Sequence, residues 1–198
     1  SGNELSARGN RVRQALYLLF NEGYHSSVPD ELIRYELCSE AMRLAKILAD
    51  HATISSPETL ALFALMCLQA SRFEARIGHH GDLIDLKEQD RGLWDRELIG
   101  IGHDYLGRSA QGDVLSEYHL EAAIASCHCI AVRFEETNWK EILALYDQLA
   151  LIKSSPVVRL NRAIALAQVE DPARAIQVIL EMRDLDELAD YHLLPATL

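Results

Sequence analysis

The sequence predicts an all-α fold in which stacked antiparallel helix pairs form an α-solenoid in the C-terminal half. Two stripes of apolar residues at helical spacing carry this prediction. They are Trp139, Ile142, Tyr146 and Leu149 in one helix, and Ala173, Ile176 and Leu180 in another. Ala173 follows Trp139 by 34 residues. That is the period of tetratricopeptide repeats, whose helix pairs bury their apolar faces by stacking on their neighbours.

Helix-start signals add to this prediction. The segment between the two stripes opens with Ser155-Pro156, which supplies a side-chain cap and a proline at the first helical position. Ser56-Pro57 opens an earlier helix in the same way, and that helix is apolar on nearly every side to about Ser71. Because it has no polar face, we expect this helix in the centre of the protein.

The other elements of the first half follow from apolar spacing and turn residues. A helix is expected over 5–21, and a longer one begins at Pro29-Asp30 and reaches about residue 50. The stretch 76–88 contains a glycine-rich turn and predicts a small hairpin or an ordered loop. A further helix, interrupted by glycines, is expected to follow Asp90 and run to about residue 106.

A polar, glycine-containing segment over 107–115 is the expected boundary between two halves. We predict a helical domain over 3–107 and tetratricopeptide-like repeats over 113–198. The repeats begin with a helix over 117–133. They end with a turn and the start of one more helix within 184–198, so the last repeat is truncated and its apolar face lacks a cap.

Composition limits the function. The chain has 198 residues and a formal net charge of −11, which argues against a nucleic-acid-binding surface, since such a surface needs clustered positive charge. No apolar run is long enough to predict a membrane span. The 4 cysteines lie on apolar helical faces and favour a reducing cytoplasm over a disulfide-stabilised fold.

Two sets of residues invite a metal-site hypothesis. Cys127-His128-Cys129 contains zinc-ligand side chains, but on a helix the two cysteines point about 200° apart. Ordinary helix-core cysteines are therefore the favoured interpretation. His79-His80 with Asp82 and Asp85 lies in a loop, where ligands could converge, but a solvated turn explains this spacing as well. We predict no metal and no cofactor.

A third set of polar residues lies at helix ends beside apolar stretches. It comprises Asn21, Glu22, Asp90, Arg91, Trp94 and Asp95. Buried polar groups at such places are normally paired, so a structural network of caps and ion pairs is the favoured interpretation. A small-ligand pocket is the alternative. The sequence shows no nucleophile–base pair, phosphate-binding glycine loop or dinucleotide fingerprint, and we predict no enzymatic activity and no catalytic residue.

Six motifs follow one another along the chain. They are Tyr17-Leu18-Leu19-Phe20-Asn21-Glu22-Gly23-Tyr24, Asp90-Arg91-x-x-Trp94-Asp95, Tyr118-x-Leu120-x-Ala122-Ala123-Ile124-Ala125, Leu145-Tyr146-Asp147, Pro156-Val157-Val158-x-Leu160-Asn161-Arg162-Ala163 and Tyr191-His192-Leu193-Leu194. In this order they resemble the C-terminal extension of extracytoplasmic-function sigma factors that carry a tetratricopeptide-like tail. The likeness runs from about Val12 to Leu198.

The resemblance implies a cytoplasmic, bacterial transcription initiation factor whose C-terminal extension is a regulatory, protein-interaction domain. Its expected partners are RNA polymerase and the N-terminal sigma regions. Promoter DNA would be contacted only through those regions, which this sequence does not contain. The residues expected to contact a partner are Tyr118, Glu121, Arg159, Asn161 and Arg162. The alternative is a ligand-sensing domain with a pocket between the two halves, lined by Asn21, Glu22, Arg91 and Trp94.

Overall fold

The computed structural model describes residues 2–26, 32–78, 81–170 and 172–183, and their side chains except those of 2–6 and 181–183. Within these ranges the chain is helical and forms no strand, which confirms the all-α prediction. The helices are α1 (Gly2–Tyr24), α2 (Tyr35–Asp50), α3 (Pro57–Ala70), α4 (Phe73–Arg76), α5 (Arg96–Ser109), α6 (Glu117–Ile130), α7 (Trp139–Ile152), α8 (Pro156–Val169) and α9 (Pro172–Arg183). Two 3₁₀ turns, Arg91–Leu93 and Phe134–Glu136, precede α5 and α7.

Helix α3 is the centre of the first half, as its sequence predicts. Of its 14 residues, 10 are buried, and it contacts α1, α2, α5 and α6. The Ser56 side chain accepts a hydrogen bond from the Thr59 backbone N–H, so the predicted cap is also present. A helix that is apolar on every side can be stable in water only if neighbours cover every side, and these four helices do so.

Helix α5 lies close to α3 at one glycine. A Cβ added to Gly102 would lie 2.7 Å from Leu68 Cγ and 3.3 Å from the Ala64 carbonyl oxygen. A side chain at this position would therefore push the two helices apart. The absence of a side chain at Gly102 fixes how near α5 comes to α3, and with it the position of the surface that α5 presents to α6.

Helices α6 to α9 form a stack in which each helix packs on the next along the chain. Ser155 caps α8 through the Val158 N–H, as predicted. Helix α6 belongs to both halves, since Tyr118 and Ala122 join the core around α3 whereas Leu120 and Ile124 join the core with α7 and α8. The domain boundary between 107 and 113 stays a prediction. Helix α6, which follows it in the chain, packs against both cores.

The predicted start of the second helix is wrong. Pro29-Asp30 lies outside the described residues, but residues 32–34 are not helical and α2 begins at Tyr35. The reason is a backbone hydrogen bond of 2.8 Å from the Arg34 N–H to the carbonyl oxygen of Gly23. This bond holds the connection in an extended path against the end of α1, and the helix starts only after it.

The second apolar stripe is also placed on the wrong face. Ile176 and Leu180 are 46% and 47% exposed, and Ala173 is exposed as well, whereas Ala175 and Ile179 are buried. Helix α9 begins 33 residues after α7, so Ala175 and Ile179 take the places of Ile142 and Tyr146. A shift of one residue turns a helix by about 100°. The first stripe is correct: Ile142 and Leu149 are buried, with Trp139 and Tyr146 packed beside them.

The described residues of the stretch 76–88 form a loop after α4, with one isolated antiparallel bridge between Ile77 and Leu83. Gly81 closes the turn with a φ of +79°, a conformation that favours glycine. His79-His80 lies outside the described residues, as do the turn and helix predicted over 184–198. In the described ranges, no helix combines the length and the apolar character that crossing a bilayer requires.

Candidate functional site

Arg91 is a buried cation that joins the two halves. Its Nη1 donates hydrogen bonds to the backbone carbonyls of His128 and Ala131, and its Nη2 donates to Thr137 Oγ1 over 3.3 Å. The guanidinium also lies over the ring of Trp94, 4.7 Å from its centre. These carbonyls end α6, where the helix dipole favours positive charge. Arg91 thereby fixes the turn between α6 and α7.

The neighbours of Arg91 are caps. Asp90 accepts a hydrogen bond from the Gly92 N–H, and Asp95 accepts from the N–H groups of Glu97 and Leu98 at the start of α5. Trp94 is buried in a core with Leu68 of α3 and Cys129 of α6. These contacts are those of a structural polar network.

Asn21 and Glu22 lie elsewhere, on α1. Asn21 forms a side-chain hydrogen bond with Tyr17, and Tyr17 reaches α6 at Glu121. Arg91 reaches α6 at His128, which is two helical turns from Glu121, or about 10 Å. The predicted set is therefore not one network, since Asn21 and Arg91 reach α6 at two different places.

Two of the predicted partner-contact residues are internal. Tyr118 is buried, and its ring lies 5.6 Å from that of Tyr17 on α1. The carboxylate of Glu121 accepts hydrogen bonds from Tyr17 Oη over 2.8 Å and from Lys153 Nζ over 3.2 Å. Burial raises the pKa of Glu121 and raises that of Tyr17 to about 12. These side chains tie α1, α6 and the end of α7 together.

The other three lie on α8 and are partly exposed. Arg162 Nε donates a hydrogen bond to Asp147 Oδ1 of α7 over 2.6 Å, while Asn161 and Arg159 lie within one turn of it. A surface contact by these three residues is compatible with their exposure. Sequence patterning could not separate them from Tyr118 and Glu121, because it does not show that α6 is covered on two sides.

A groove of about 680 Å³ lies between α5 and α6, at the junction of the two halves. Its walls are mainly apolar and include Leu106, Leu115, Ala123 and Ile130. The antiparallel helices place Ser126 beside His103 at one end and His119 beside Ser109 at the other. Along α6 the groove extends from His119 to Ile130, a length of about 16 Å at 1.5 Å per residue. None of the residues predicted to line a pocket lines this groove.

His119 has a defined protonation state. Its Nδ1 accepts a hydrogen bond from the Ser116 backbone N–H over 3.2 Å, so in the neutral ring the proton is on Nε2. Burial lowers the pKa of His119, although the Ser109 backbone opposes this shift, and the neutral ring is favoured. Nε2 is buried without a partner in hydrogen-bond geometry. The Nε2–H group is enclosed beside the Ser109 backbone and does not face the open groove.

The sequence held one indication of this groove. His119 and Ser126 are seven residues apart and so share a face of α6, and Gly107 and Gly100 lie at the same spacing on α5. At His103, Nε2 lies 3.0 Å from Ser126 Oγ. Periodicity alone does not identify these residues, because the pairing of α5 with α6 depends on how the two helices pack.

Cys127 and Cys129 face different neighbours, as helical geometry predicts. Cys127 packs with the α7 and α8 core, whereas Cys129 packs beside Leu68 and Trp94. Burial raises the pKa of both thiols and disfavours the thiolate form that binds metals. In the part of the chain that the structure describes, no three His, Cys, Asp or Glu side chains converge as a metal site.

Comparisons with known proteins identify the family of this chain. A Rhizobium meliloti (strain 1021) protein described as uncharacterized is 38% identical over 168 residues, which are 85% of this chain and 40% of that protein. This chain thus spans about two-fifths of that relative's length. No solved structure matches the chain significantly. The model of the "Family of unknown function (DUF6596)" matches residues 8–110, more than half of the chain, and the chain belongs to this family.

Proposed function

We propose that this chain is the C-terminal regulatory and protein-interaction domain of an extracytoplasmic-function sigma factor. In this role it contacts the N-terminal sigma regions or RNA polymerase in the cytoplasm and sets the activity of transcription initiation. The ordered motifs that resemble such extensions suggest this function. The structural observation in its favour is the stack of α6 to α9, an architecture that proteins commonly use to present an extended binding surface.

The residues proposed to contact the partner are Arg159, Asn161 and Arg162 on α8. Arginine is enriched in protein interfaces, and Arg162 stays partly exposed although it pairs with Asp147. Tyr118 and Glu121 are excluded from this surface because both are covered by α1. Promoter DNA would be bound by the sigma regions, and this domain performs no catalytic step.

The test is a pull-down with this chain as bait. Bacterial core RNA polymerase and the sigma regions encoded with the chain are supplied separately as purified proteins. Retention of either at physiological salt supports the proposal, and retention of neither by a chain with native far-UV circular dichroism would reject it. An unrelated tetratricopeptide protein serves as the control bait, because helical stacks share general surface properties.

A second candidate function, ligand sensing between the two halves, also has an observation in its favour. The groove between α5 and α6 lies at that junction and has a volume typical of small-molecule sites. Its lining differs from the set expected from the sequence.

A further inference from the structure

We propose that the contacts of Lys153 with α1 and α6 form a latch, which couples the position of α1 to the start of α8, where the proposed partner surface lies. The latch consists of Lys153, Glu117, Glu121 and Tyr17. The identity of the partner rests on the proposed function, but the latch lies within this chain and can be tested without a partner.

Lys153 directly follows α7 and lies at the centre of the latch. Its Nζ is 2.7 Å from Glu117 Oε2 and 3.2 Å from Glu121 Oε1, two carboxylates one turn apart on α6. The same Nζ lies 3.5 Å from Tyr17 Oη and 4.7 Å from the centre of the Tyr17 ring on α1. One ammonium group therefore holds the end of α7 against α6 and α1 at the same time.

The protonation states of these groups favour the closed latch. Burial favours the neutral amine of Lys153, but Glu121 and Glu117 raise its pKa, so the ammonium form persists. Burial raises the pKa of Tyr17 to about 12. Tyr17 therefore stays neutral at physiological pH and keeps the proton that it donates to Glu121.

Polar contacts hold this end of α7 more than apolar burial does. Leu151 is 88% exposed and Ile152 is 50% exposed, so the last two residues of the helix bury little apolar surface. The side chains of Lys153 and Glu117 are 31% and 25% exposed, so water can replace their contacts. A segment held in this way can open locally while the core stays folded.

The latch lies two residues before the cap of α8. Ser155 accepts hydrogen bonds from the Val158 N–H through its side chain and from the Arg159 N–H through its carbonyl oxygen. A shift of Lys153 would reach Ser155 through one intervening residue and loosen this first turn. Arg159 and Asn161, which are proposed to contact the partner, lie in or directly after it. Displacement of α1 by the sigma regions expected before it would thus alter the partner surface.

Hydrogen exchange of the full chain, measured by NMR, tests whether a change on α1 reaches α8. Tyr17→Phe removes the hydroxyl from the latch and keeps the ring that packs against the core. We expect exchange at the Val158 and Arg159 amides to become about fivefold faster or more, because the open state becomes easier to reach. Leu18→Ala, at a position that is 66% exposed, is the control on α1 and should leave both rates unchanged.

The first turn of α7 provides matched reference amides within the same sample. Asn138 accepts hydrogen bonds from the Glu141 N–H through its side chain and from the Ile142 N–H through its carbonyl oxygen. This turn has the same type of cap as α8, but it lies at the opposite end of α7 from the latch. Its amides should keep their native rates within about twofold in Tyr17→Phe.

A double-variant cycle tests whether Lys153 transmits the effect. Lys153→Met should speed exchange at the Val158 and Arg159 amides by about tenfold or more, since it leaves two carboxylates without their cation. Combined with Tyr17→Phe, it should give less than the product of the two single effects, because both changes act on one cluster. Lys140→Met, at an exposed position near the start of α7, is the matched control and should exchange as the native chain does.

Three results would overturn the latch: unchanged exchange at Val158 in Tyr17→Phe, equal acceleration at Val158 and Glu141, or effects of the two substitutions that simply multiply. None of these measurements contains polymerase or sigma regions. A failed pull-down would therefore reject the proposed partner and leave the coupling intact, whereas a failed exchange experiment would reject the coupling alone.

Discussion

The two halves of the molecule build their cores differently. In the first half, one helix without a polar face, α3, is enclosed by α1, α2, α5 and α6. In the second half, each helix from α6 to α9 covers one side of the next, and large apolar side chains such as Leu151 stay exposed. Stability should therefore be concentrated at one helix in the first half and distributed over successive interfaces in the second.

Each half contains one tryptophan, Trp94 in the first and Trp139 in the second. Variants with a single tryptophan, made by Trp→Phe substitution, therefore report the unfolding of each half separately.

The largest effect is expected in α3. Leu65→Ala should lower the free energy of unfolding by about 3–4 kcal/mol, because Leu65 is fully buried and its truncation leaves a cavity in the core around α3. Since α6 shares this core, the urea transitions reported by Trp94 and Trp139 should both move to lower concentration.

The matched change in the second half is Leu149→Ala in α7, where Leu149 is equally buried. It should cost about 2–3 kcal/mol and move the Trp139 transition ahead of that of Trp94. If the two probes continue to coincide in this variant, the chain unfolds as one unit and the proposed difference between the halves is wrong.

A further large effect is expected at Arg91, which joins the two halves. Arg91→Met should destabilise the protein by about 3 kcal/mol, since it leaves two buried carbonyls of the α6–α7 turn without their donor. We expect the Trp139 transition to be affected at least as much as that of Trp94. Arg133→Met is the control, because Arg133 is exposed and pairs only with Glu136 among its described contacts; its thermal midpoint should hardly change.

Two glycines of α5 should respond with opposite signs. Gly102→Ala should cost about 1–3 kcal/mol, because its Cβ would overlap Leu68. Gly100→Ala has open space around it and should stabilise the helix by about 0.5–1 kcal/mol. Chemical denaturation of the two variants provides the comparison. Stabilisation by both would show that α5 and α3 are not closely packed.

A pH-dependent effect arises at His128. Burial lowers its pKa from 6.5 to about 3, with Arg72 and Arg91 adding to the shift. Below pH 6.5 His128 therefore binds a proton in the unfolded chain but stays neutral in the folded chain. The free energy of unfolding is thus highest above pH 6.5 and decreases as the pH falls. We expect a slope of up to about 1.4 kcal/mol per pH unit between pH 6 and pH 5.

His128→Phe should flatten that slope and leave the stability at pH 7.5 unchanged or slightly higher. The phenyl ring keeps the edge contact with Trp139, and His128 Nδ1 is buried without a partner, so no hydrogen bond is lost. Denaturation curves of the native chain and the variant at three pH values measure how the free energy of unfolding depends on pH. An unaltered slope in the variant would assign the pH dependence to other groups.

The sequence predicted the fold where one signal dominated. Ser56 and Ser155 marked helix starts, and the apolar character of α3 placed it in the centre. Prediction failed where tertiary contacts determine the start or the buried face of a helix. The hydrogen bond from the Arg34 N–H to the Gly23 carbonyl delays the start of α2. The 33-residue offset between α7 and α9 buries Ile179 instead of Ile176. Periodicity alone does not detect a one-residue shift between repeats.

The candidate site was less accessible to sequence reasoning. Arg91 and its capping neighbours were recognised because their types and positions at helix ends imply pairing. The groove depends on which face of α5 meets α6, and this is fixed by the close approach at Gly102. The sequence predicts Tyr118 and Glu121 on a partner surface, but α1 covers them.

The most direct test of the proposed function is an affinity measurement between this chain and core RNA polymerase or the sigma regions, made by biolayer interferometry. Asn161→Ala/Arg162→Ala alters α8, and Arg174→Ala, at an exposed position of α9, is the matched control. We predict saturable binding that the α8 variant weakens about tenfold or more and the control leaves unchanged. Absence of binding to either partner, or equal binding by both variants, would contradict the proposal.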